Sequence, residues 1–146
     1  MIVITDSNII FSALINPAGN EANIFKAKGQ IQFIAPDFLL EEIREHWLQI
    51  ENFSSLNKFE LLEEYKLLKS KIKVVSIEDI PPIKLVEAYQ IVKDIDEEDT
   101  YFVALYLFQK HKIWTGDKQL INGLLAKGYN ICVTTKELKK MLYKKD

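Results

Sequence analysis

The sequence contains very little cysteine, histidine and arginine. Among its 146 residues there is one cysteine, Cys132, one arginine, Arg44, and two histidines, His46 and His111. A single cysteine excludes an internal disulfide and any site built from several cysteines, such as an iron–sulfur cluster. The two histidines do not form the HExxH pair of one helix face, so a zinc hydrolase is not expected.

Long apolar runs are also absent. No run approaches the roughly 20 apolar residues that a membrane-spanning helix requires. The opening segment Met1–Asp6 has no basic region and reaches an acid at once, unlike a secretion signal. We therefore expect a cytoplasmic protein with no membrane partner, folded as a single domain over residues 1–146.

The charge is nearly balanced, with 19 basic and 21 acidic residues and a net charge of −2. This balance does not favour indiscriminate binding to nucleic acid, which needs clustered basic residues. The charges are unevenly distributed, however. Acids are concentrated in Asp94–Asp99, and lysines are frequent near the end of the chain, at Lys136, Lys139, Lys140, Lys144 and Lys145. Each run taken alone is typical of a solvated helix surface.

Short apolar runs alternate with helical patterns along the chain. We predict strands at Ile2–Thr5, Ile31–Ala35, Lys73–Ile77, Ile113–Thr115 and Asn130–Val133. Helices are predicted at Ser7–Ile15, Glu21–Lys28, Asp37–Ile50 (with Asp37 as N-cap), Asn57–Ser70, Lys84–Val92, Glu97–Lys110 and Lys118–Lys127, and a capping box at Thr134–Glu137 begins a last helix. This alternation predicts an α/β fold, a three-layer α/β/α sandwich with a central, mostly parallel sheet.

Carboxylates follow two of the predicted strands. Asp6 comes directly after the first strand, and Asp117 comes just after Ile113–Thr115. Because ligands of open parallel sheets bind outside the carboxyl ends of the strands, both side chains are expected at the same edge. Taken alone, each acid is more simply explained as the N-cap of the helix that follows it.

Further carboxylates lie on predicted helices. Glu42 is surrounded in sequence by apolar residues, and Asp96 and Asp99 are spaced to share one helix face. Two carboxylates about 4 Å apart repel by roughly 4 kcal/mol at an effective dielectric of about 20, so several at one edge need protons or a cation. Oxygen ligands without cysteine or histidine select Mg²⁺ or Mn²⁺.

Four short motifs occur in order along the chain, each containing at least one of these acids. They are Ile2–Ile9 (a strand ending in Asp6, then Asn8), Phe38–Arg44, Asp96–Ala104 and Trp114–Lys118. Together they resemble the PIN-domain family of metal-dependent ribonucleases, which includes the toxins of many bacterial toxin–antitoxin pairs. The resemblance covers positions 2 to about 120 of the chain.

The resemblance implies a set of site residues. The residues that match its catalytic and metal-binding positions are Asp6, Glu42, Asp99 and Asp117, with Asp96 as a further metal ligand and with Asn8 and Thr115 as supporting polar residues. Glu41 is adjacent to Glu42, and we choose Glu42 because the family's acid directly precedes an apolar residue. Whether Asp96 or Asp99 is the principal ligand stays open, as does the number of metal ions.

The resulting hypothesis is a Mg²⁺- or Mn²⁺-dependent endoribonuclease that hydrolyses single-stranded RNA. Lys118, directly after Asp117, is the nearest basic residue that could contact the substrate. The resemblance also implies a toxin with an antitoxin protein as partner. The alternative is a catalytically silent PIN-like module that binds RNA or a protein, because a fold alone does not prove activity. A haloacid-dehalogenase-like phosphatase would need an acid where Asn8 stands.

Two neighbouring predicted helices, Phe38–Ile50 and Asn57–Ser70, carry more large apolar residues than one sheet face can cover. Three of the surplus residues, Leu48, Phe59 and Leu67, are expected to form an exposed patch, which would mark an interface. The equally weighted alternative is that the helices cover one another. Because PIN-like toxins commonly dimerise, the resemblance favours a homodimer.

Overall fold

A five-stranded sheet lies at the centre of the structure, a computed structural model that describes residues 1–143. The strands are β1 (Ile2–Thr5), β2 (Gln32–Pro36), β3 (Ile72–Val75), β4 (Ile113–Trp114) and β5 (Cys132–Val133), in the order β3-β2-β1-β4-β5. All pairings between these strands are parallel. The predicted α/β fold is confirmed, and the described strands are entirely rather than mostly parallel.

Helices connect the strands. They are α1 (Ser7–Ile15), α2 (Asn20–Lys26), α3 (Phe38–Glu45), α4 (Trp47–Phe53), α5 (Lys58–Ser70), α6 (Pro82–Val92), α7 (Thr100–Gln109), α8 (Lys118–Ala126) and α9 (Thr135–Leu142). The chain winds outward from β1 to β3 and then crosses back to β4. Because parallel crossovers are right-handed, this reversal puts α1 to α5 on one face of the sheet and α6 to α8 on the other. The predicted three-layer arrangement is therefore confirmed.

An aromatic cluster supports the middle of the sheet. Trp114 in β4 is fully buried, and its ring centroid lies 5.0 Å from that of Phe25 and 5.7 Å from that of Phe33. The indole N–H of Trp114 donates a hydrogen bond to Thr135 Oγ1 at 3.0 Å, which ties the start of α9 to the sheet. Rigid packing of this kind holds the carboxyl ends of β1 and β4 in a defined position.

The prediction of a single helix over Asp37–Ile50 is wrong, because the helix is interrupted at His46 (φ −101°, ψ 10°). This segment contains neither glycine nor proline, so no local signal marks the break. Beyond the break, α4 packs against α1, and the hydroxyl of Ser54 donates to the carbonyl of Leu14 at 2.7 Å. Tertiary packing has overridden helix propensity here.

Two local predictions about helix starts are also wrong. Asp37 does not cap α3 with its side chain; its carboxylate instead accepts a hydrogen bond from the Ile77 N–H at 3.2 Å, which links the start of α3 to the end of β3. The helix predicted from Glu97 begins with a 3₁₀ turn over Glu97–Asp99, and α-helical structure starts at Thr100. In that turn the carboxylate of Asp96 accepts the Glu98 N–H at 3.0 Å.

The predicted capping box of the last helix is confirmed. Glu137 N–H donates to Thr134 Oγ1, and Thr134 N–H donates to Glu137 Oε1, both at 3.2 Å. Lys144 and Lys145 of the predicted basic run lie outside the described residues. Across residues 1–143, the helices are too short or too polar to cross a membrane. The single-domain organisation and the cytoplasmic location stay predictions.

Candidate functional site

A groove of about 390 Å³ opens above the carboxyl ends of β1 and β4. These two strands are neighbours in the sheet, and the direction of winding reverses between them. Ligands of open α/β sheets bind at such a reversal. All of the predicted acidic residues line this groove, and Glu98 joins them; the set is Asp6, Glu42, Asp96, Glu98, Asp99 and Asp117.

Asp6 lies on the floor of the groove, at the end of β1, and is only 4% exposed. Its Oδ2 accepts a hydrogen bond from the Thr115 hydroxyl at 2.7 Å. Burial raises the pKa of Asp6 above its usual range, the bond from Thr115 opposes this increase, and the nearby charge of Asp117 adds to it. The Thr115 hydroxyl also accepts the Asp117 N–H at 3.1 Å, so one threonine positions both strand-end acids.

Glu42 reaches the groove from α3. Its Oε1 accepts a hydrogen bond from the Ser7 hydroxyl, at the first turn of α1. Burial raises the pKa of Glu42 to about 7; the bond from Ser7 opposes this, and the charges of Asp6 and Glu98 add to it. The neighbouring Glu41 is exposed and does not line the groove, so the geometry favours Glu42 over Glu41.

Asp99 ends the 3₁₀ turn that precedes α7 and is 8% exposed. Its Oδ2 is buried and has no hydrogen-bond partner among the described residues. Burial raises its pKa to about 8, with further contributions from the charges of Asp6, Asp96, Asp117 and Glu42. A buried carboxylate oxygen without a donor costs free energy unless it is protonated or faces a cation.

Asp117 and two other predicted residues have simpler surroundings. The Asp117 carboxylate caps α8, accepting the N–H groups of Gln119 at 3.0 Å and Leu120 at 3.3 Å. The simpler N-cap interpretation is therefore correct for Asp117, although the residue also lines the groove. Asn8 is exposed and lines the groove, whereas Lys118 is exposed on α8 and lies outside its lining.

The carboxylates share a groove but are not arranged as a finished metal site. Within residues 1–143, no group of three or more acidic, histidine or cysteine side chains is placed to hold one ion. Three of the acids are already engaged: Asp6 by Thr115, Glu42 by Ser7 and Asp117 by the amides of α8. Like charges repel, which opposes the convergence of these carboxylates on one point.

The donor set nevertheless fits a hard divalent cation. The acidic side chains offer oxygen ligands only, as Mg²⁺ and Mn²⁺ prefer. The unpartnered Oδ2 of Asp99 is a vacant acceptor in the buried part of the groove. A cation there would offset both the repulsion and the burial that raise the pKa values of Glu42 and Asp99.

Several groove residues were missed by the sequence analysis. Ser7 and Glu98 are neighbours of predicted acids, and their positions in the motifs could have indicated them. The other side of the groove is formed by Phe11, Ile15, His46, Gln49, Ile50 and Phe53. The residues from His46 to Phe53 follow Glu42 at positions i+4, i+7, i+8 and i+11, and this spacing of one helix face could have indicated them.

Cys132 lies on β5, near the acidic groove, and is half-buried. Burial raises the pKa of its thiol to about 12, and the charges of Asp6, Asp99 and Asp117 add to this increase. At neutral pH the thiol is therefore protonated, and only a thiolate is an effective nucleophile. The cysteine belongs to the structure rather than to covalent chemistry.

Comparisons with known proteins agree with this architecture. No curated protein matches the sequence. Among solved structures, the fold is similar to a chain in the crystal structure of VapBC2 from Rickettsia felis bound to a DNA fragment from their promoter, with a TM-score of 0.63 and 13% identity over 92% of this chain and 97% of that chain. The family model of the PIN domain matches residues 4–143. This chain therefore belongs to the PIN-domain family.

Proposed function

We propose that the protein is a Mg²⁺- or Mn²⁺-dependent endoribonuclease that hydrolyses phosphodiester bonds of single-stranded RNA. PIN-domain proteins are generally nucleases that depend on a divalent metal. The observation that carries the proposal is the buried Asp99 carboxylate, which has an unpartnered oxygen and lies in a groove with five other acids. A buried acid with an unpartnered oxygen beside other acids is costly, and it is typical of sites that use a cation.

The acids have distinct roles in this proposal. The residues that would hold the metal are Asp6, Glu42, Asp99 and Asp117, with Asp96 at the exposed side of the groove. When bound, the ion would polarise the scissile phosphate and lower the pKa of an attacking water. Thr115 and Ser7 orient the carboxylates of Asp6 and Glu42 through hydrogen bonds. Residues that orient metal ligands in this way also tune their affinity.

The RNA must approach an acidic groove, so basic residues near it would help to hold the phosphates. We propose that Lys118, exposed at the start of α8, contacts the strand as it enters. Three exposed lysines of α9, Lys136, Lys139 and Lys140, could extend this contact. Such contacts release counterions, and RNA affinity should therefore decrease steeply with salt.

Substitution of Asp6 by asparagine tests the assignment. Asp6→Asn should abolish cleavage of a labelled single-stranded RNA in Mn²⁺, because it removes a buried ligand charge while preserving the shape of the side chain. Glu41→Gln is the matched control, since Glu41 is exposed and outside the groove. Thermal unfolding should show that both variants are folded. If Asp6→Asn cleaves as fast as the wild type, the site assignment is wrong.

The alternative function is a silent module that binds RNA or a protein. It is favoured by one observation: in residues 1–143 the acids are not placed to hold an ion as a group of three or more. Mn²⁺ distinguishes the two functions, because a ligand at about 100 times its dissociation constant stabilises the folded state by about 2.7 kcal/mol. An unchanged unfolding temperature in Mn²⁺ would favour the silent module.

We also propose that the chain associates with itself. The three apolar residues that we predicted to be exposed are exposed in the structure. Leu48 on α4 is 75% exposed, and Phe59 and Leu67 on α5 are 73% and 42% exposed. Large apolar side chains left exposed on neighbouring segments of the chain favour an interface. Light scattering at tens of micromolar should find a dimer, and a monomer would refute this part of the proposal.

A toxin role is the last part of the proposal. The related fold comes from VapBC2, and the resemblance to PIN-like toxins implies an antitoxin that enters the acidic groove. Expression of the chain in a bacterial host should arrest growth, and expression of the Asp6→Asn variant should leave growth normal. Equal growth arrest by both forms would mean that toxicity does not depend on this site.

A further inference from the structure

The groove has a second half that contains none of the predicted acids. It lies between α1 and the segment that begins at His46, and its lining residues are Phe11, Ile15, His46, Gln49, Ile50 and Phe53. Phe11 and Ile15 of α1 are four residues apart and therefore lie on one helix face. The four residues from His46 to Phe53 follow the spacing i, i+3, i+4 and i+7, so they also share one face. This face of α4 lines the same groove as the acids.

Phe53 is the most unusual member of this half. Its side chain lines the groove, yet the residue is 67% exposed. The backbone beside it is firmly held, because the Ser54 hydroxyl donates to the Leu14 carbonyl at 2.7 Å and the Ser55 N–H donates to the Ile15 carbonyl at 3.3 Å. An exposed aromatic ring on a fixed support is a prepared contact surface rather than part of the core.

We propose that this half of the groove is a nucleobase subsite, in which the base of a nucleotide next to the scissile phosphate stacks on Phe53. Gln49, exposed and four residues before Phe53, can both donate to and accept from the polar edge of that base. The inference rests on the proposed function, since it is the acidic half that locates the phosphate.

Two features favour a base over an apolar side chain of a protein partner. The two halves form one continuous groove, so a strand whose phosphate lies at the acids carries its own base into the second half. In addition, the groove lining contains no lysine or arginine among residues 1–143. No lysine or arginine of the lining therefore contributes to affinity by contacting phosphate, and stacking on aromatic rings is the usual further source of affinity for single strands.

The test compares two single-stranded RNAs that differ only in their bases. One is a short oligouridylate with phosphorothioate linkages to slow hydrolysis, and the other is the same strand with abasic sites. Their dissociation constants are measured by fluorescence anisotropy in Mg²⁺ for the wild type, Phe53→Ala, Phe53→Trp and Phe108→Ala. Phe108 is the matched control, because it is an exposed phenylalanine (40%) on α7, outside the groove and outside the proposed dimer interface.

We expect Phe53→Ala to weaken binding of the oligouridylate by roughly 5- to 150-fold, the range for loss of one stacked base. Binding of the abasic strand should be unchanged, Phe53→Trp should retain the wild-type affinity, and Phe108→Ala should behave as the wild type. Unfolding curves of all four proteins should coincide closely, since both phenylalanines are exposed.

Three outcomes would overturn the subsite. If Phe53→Ala and the wild type bind the oligouridylate equally, Phe53 does not stack on a base and its ring is a contact for a protein partner instead. The proposed nuclease function would then still stand. An equal loss of affinity for the oligouridylate and for the abasic strand would mean that Phe53→Ala alters the groove as a whole. Failure of the wild type to bind either strand would overturn the subsite together with the proposed function.

Discussion

The buried carboxylate of Asp99 predicts an unusual dependence of stability on pH in the absence of metal. Its pKa is about 8 in the folded protein, against 3.8 for an unperturbed aspartate. Between these two values the unfolded chain has released the proton while the folded protein still holds it. The free energy of unfolding therefore decreases as pH rises through this window, by about 1.4 kcal/mol for each pH unit. From about pH 4 to pH 7, Asp99 alone contributes a decrease on the order of 4 kcal/mol.

Substitution by asparagine should remove this contribution, because the amide carries no titrating proton. The difference in unfolding free energy between Asp99→Asn and the wild type should grow, in favour of the variant, by about 4 kcal/mol between pH 4 and pH 7. Above about pH 8, where folded Asp99 is also ionised, the difference should become constant. Glu97→Gln is the control, since Glu97 is exposed in the same turn and outside the groove.

Urea unfolding in EDTA at a series of pH values measures these differences, with tryptophan fluorescence as the signal. Parallel pH profiles for Asp99→Asn and the wild type would refute the reasoning, since they would mean that Asp99 ionises normally. In Mn²⁺ the wild-type profile should flatten, because metal ligation needs the deprotonated carboxylate. Asp99→Asn should lose most of that effect of Mn²⁺.

Three further predictions concern residues around the acids. Thr115→Val removes the hydrogen bond to Asp6 and should weaken Mn²⁺ binding about 10- to 100-fold in calorimetry; unchanged affinity would exclude a positioning role. Gly123→Ala, normally favourable in a helix, should destabilise the protein by about 1 to 3 kcal/mol in urea unfolding, because the new Cβ would lie 2.7 Å from Ile95 Cδ1; a gain in stability would contradict this packing. Lys118→Ala should lower the slope of log affinity for RNA against log salt by about one, and an unchanged slope would place the lysine away from the strand.

The sequence by itself was sufficient for the fold class and for the approximate place of the acids. Alternation of β-branched runs and helical patterns predicts a parallel sheet because both periods are local properties of the chain. Asp6 and Asp117 could be predicted at one edge for the same reason, since each follows a strand directly and parallel strands end together. Glu42 and Asp99 required the family resemblance, because an acid on a helix is usually solvated.

Only the tertiary structure decided the chemistry within the groove. The bond from Ser7 to Glu42 and the bond from Thr115 to Asp6 join segments that are 35 and 109 residues apart. The pKa of Asp99 depends on its burial and on the charges of four other acids. Both effects are set by distances in space and not by separation along the chain. No local sequence signal marks the interruption at His46 or the packing of α4 against α1, and Phe53 lines the groove from this part of the chain. A helical period states which residues share a face, but the direction of that face is set by what the helix packs against.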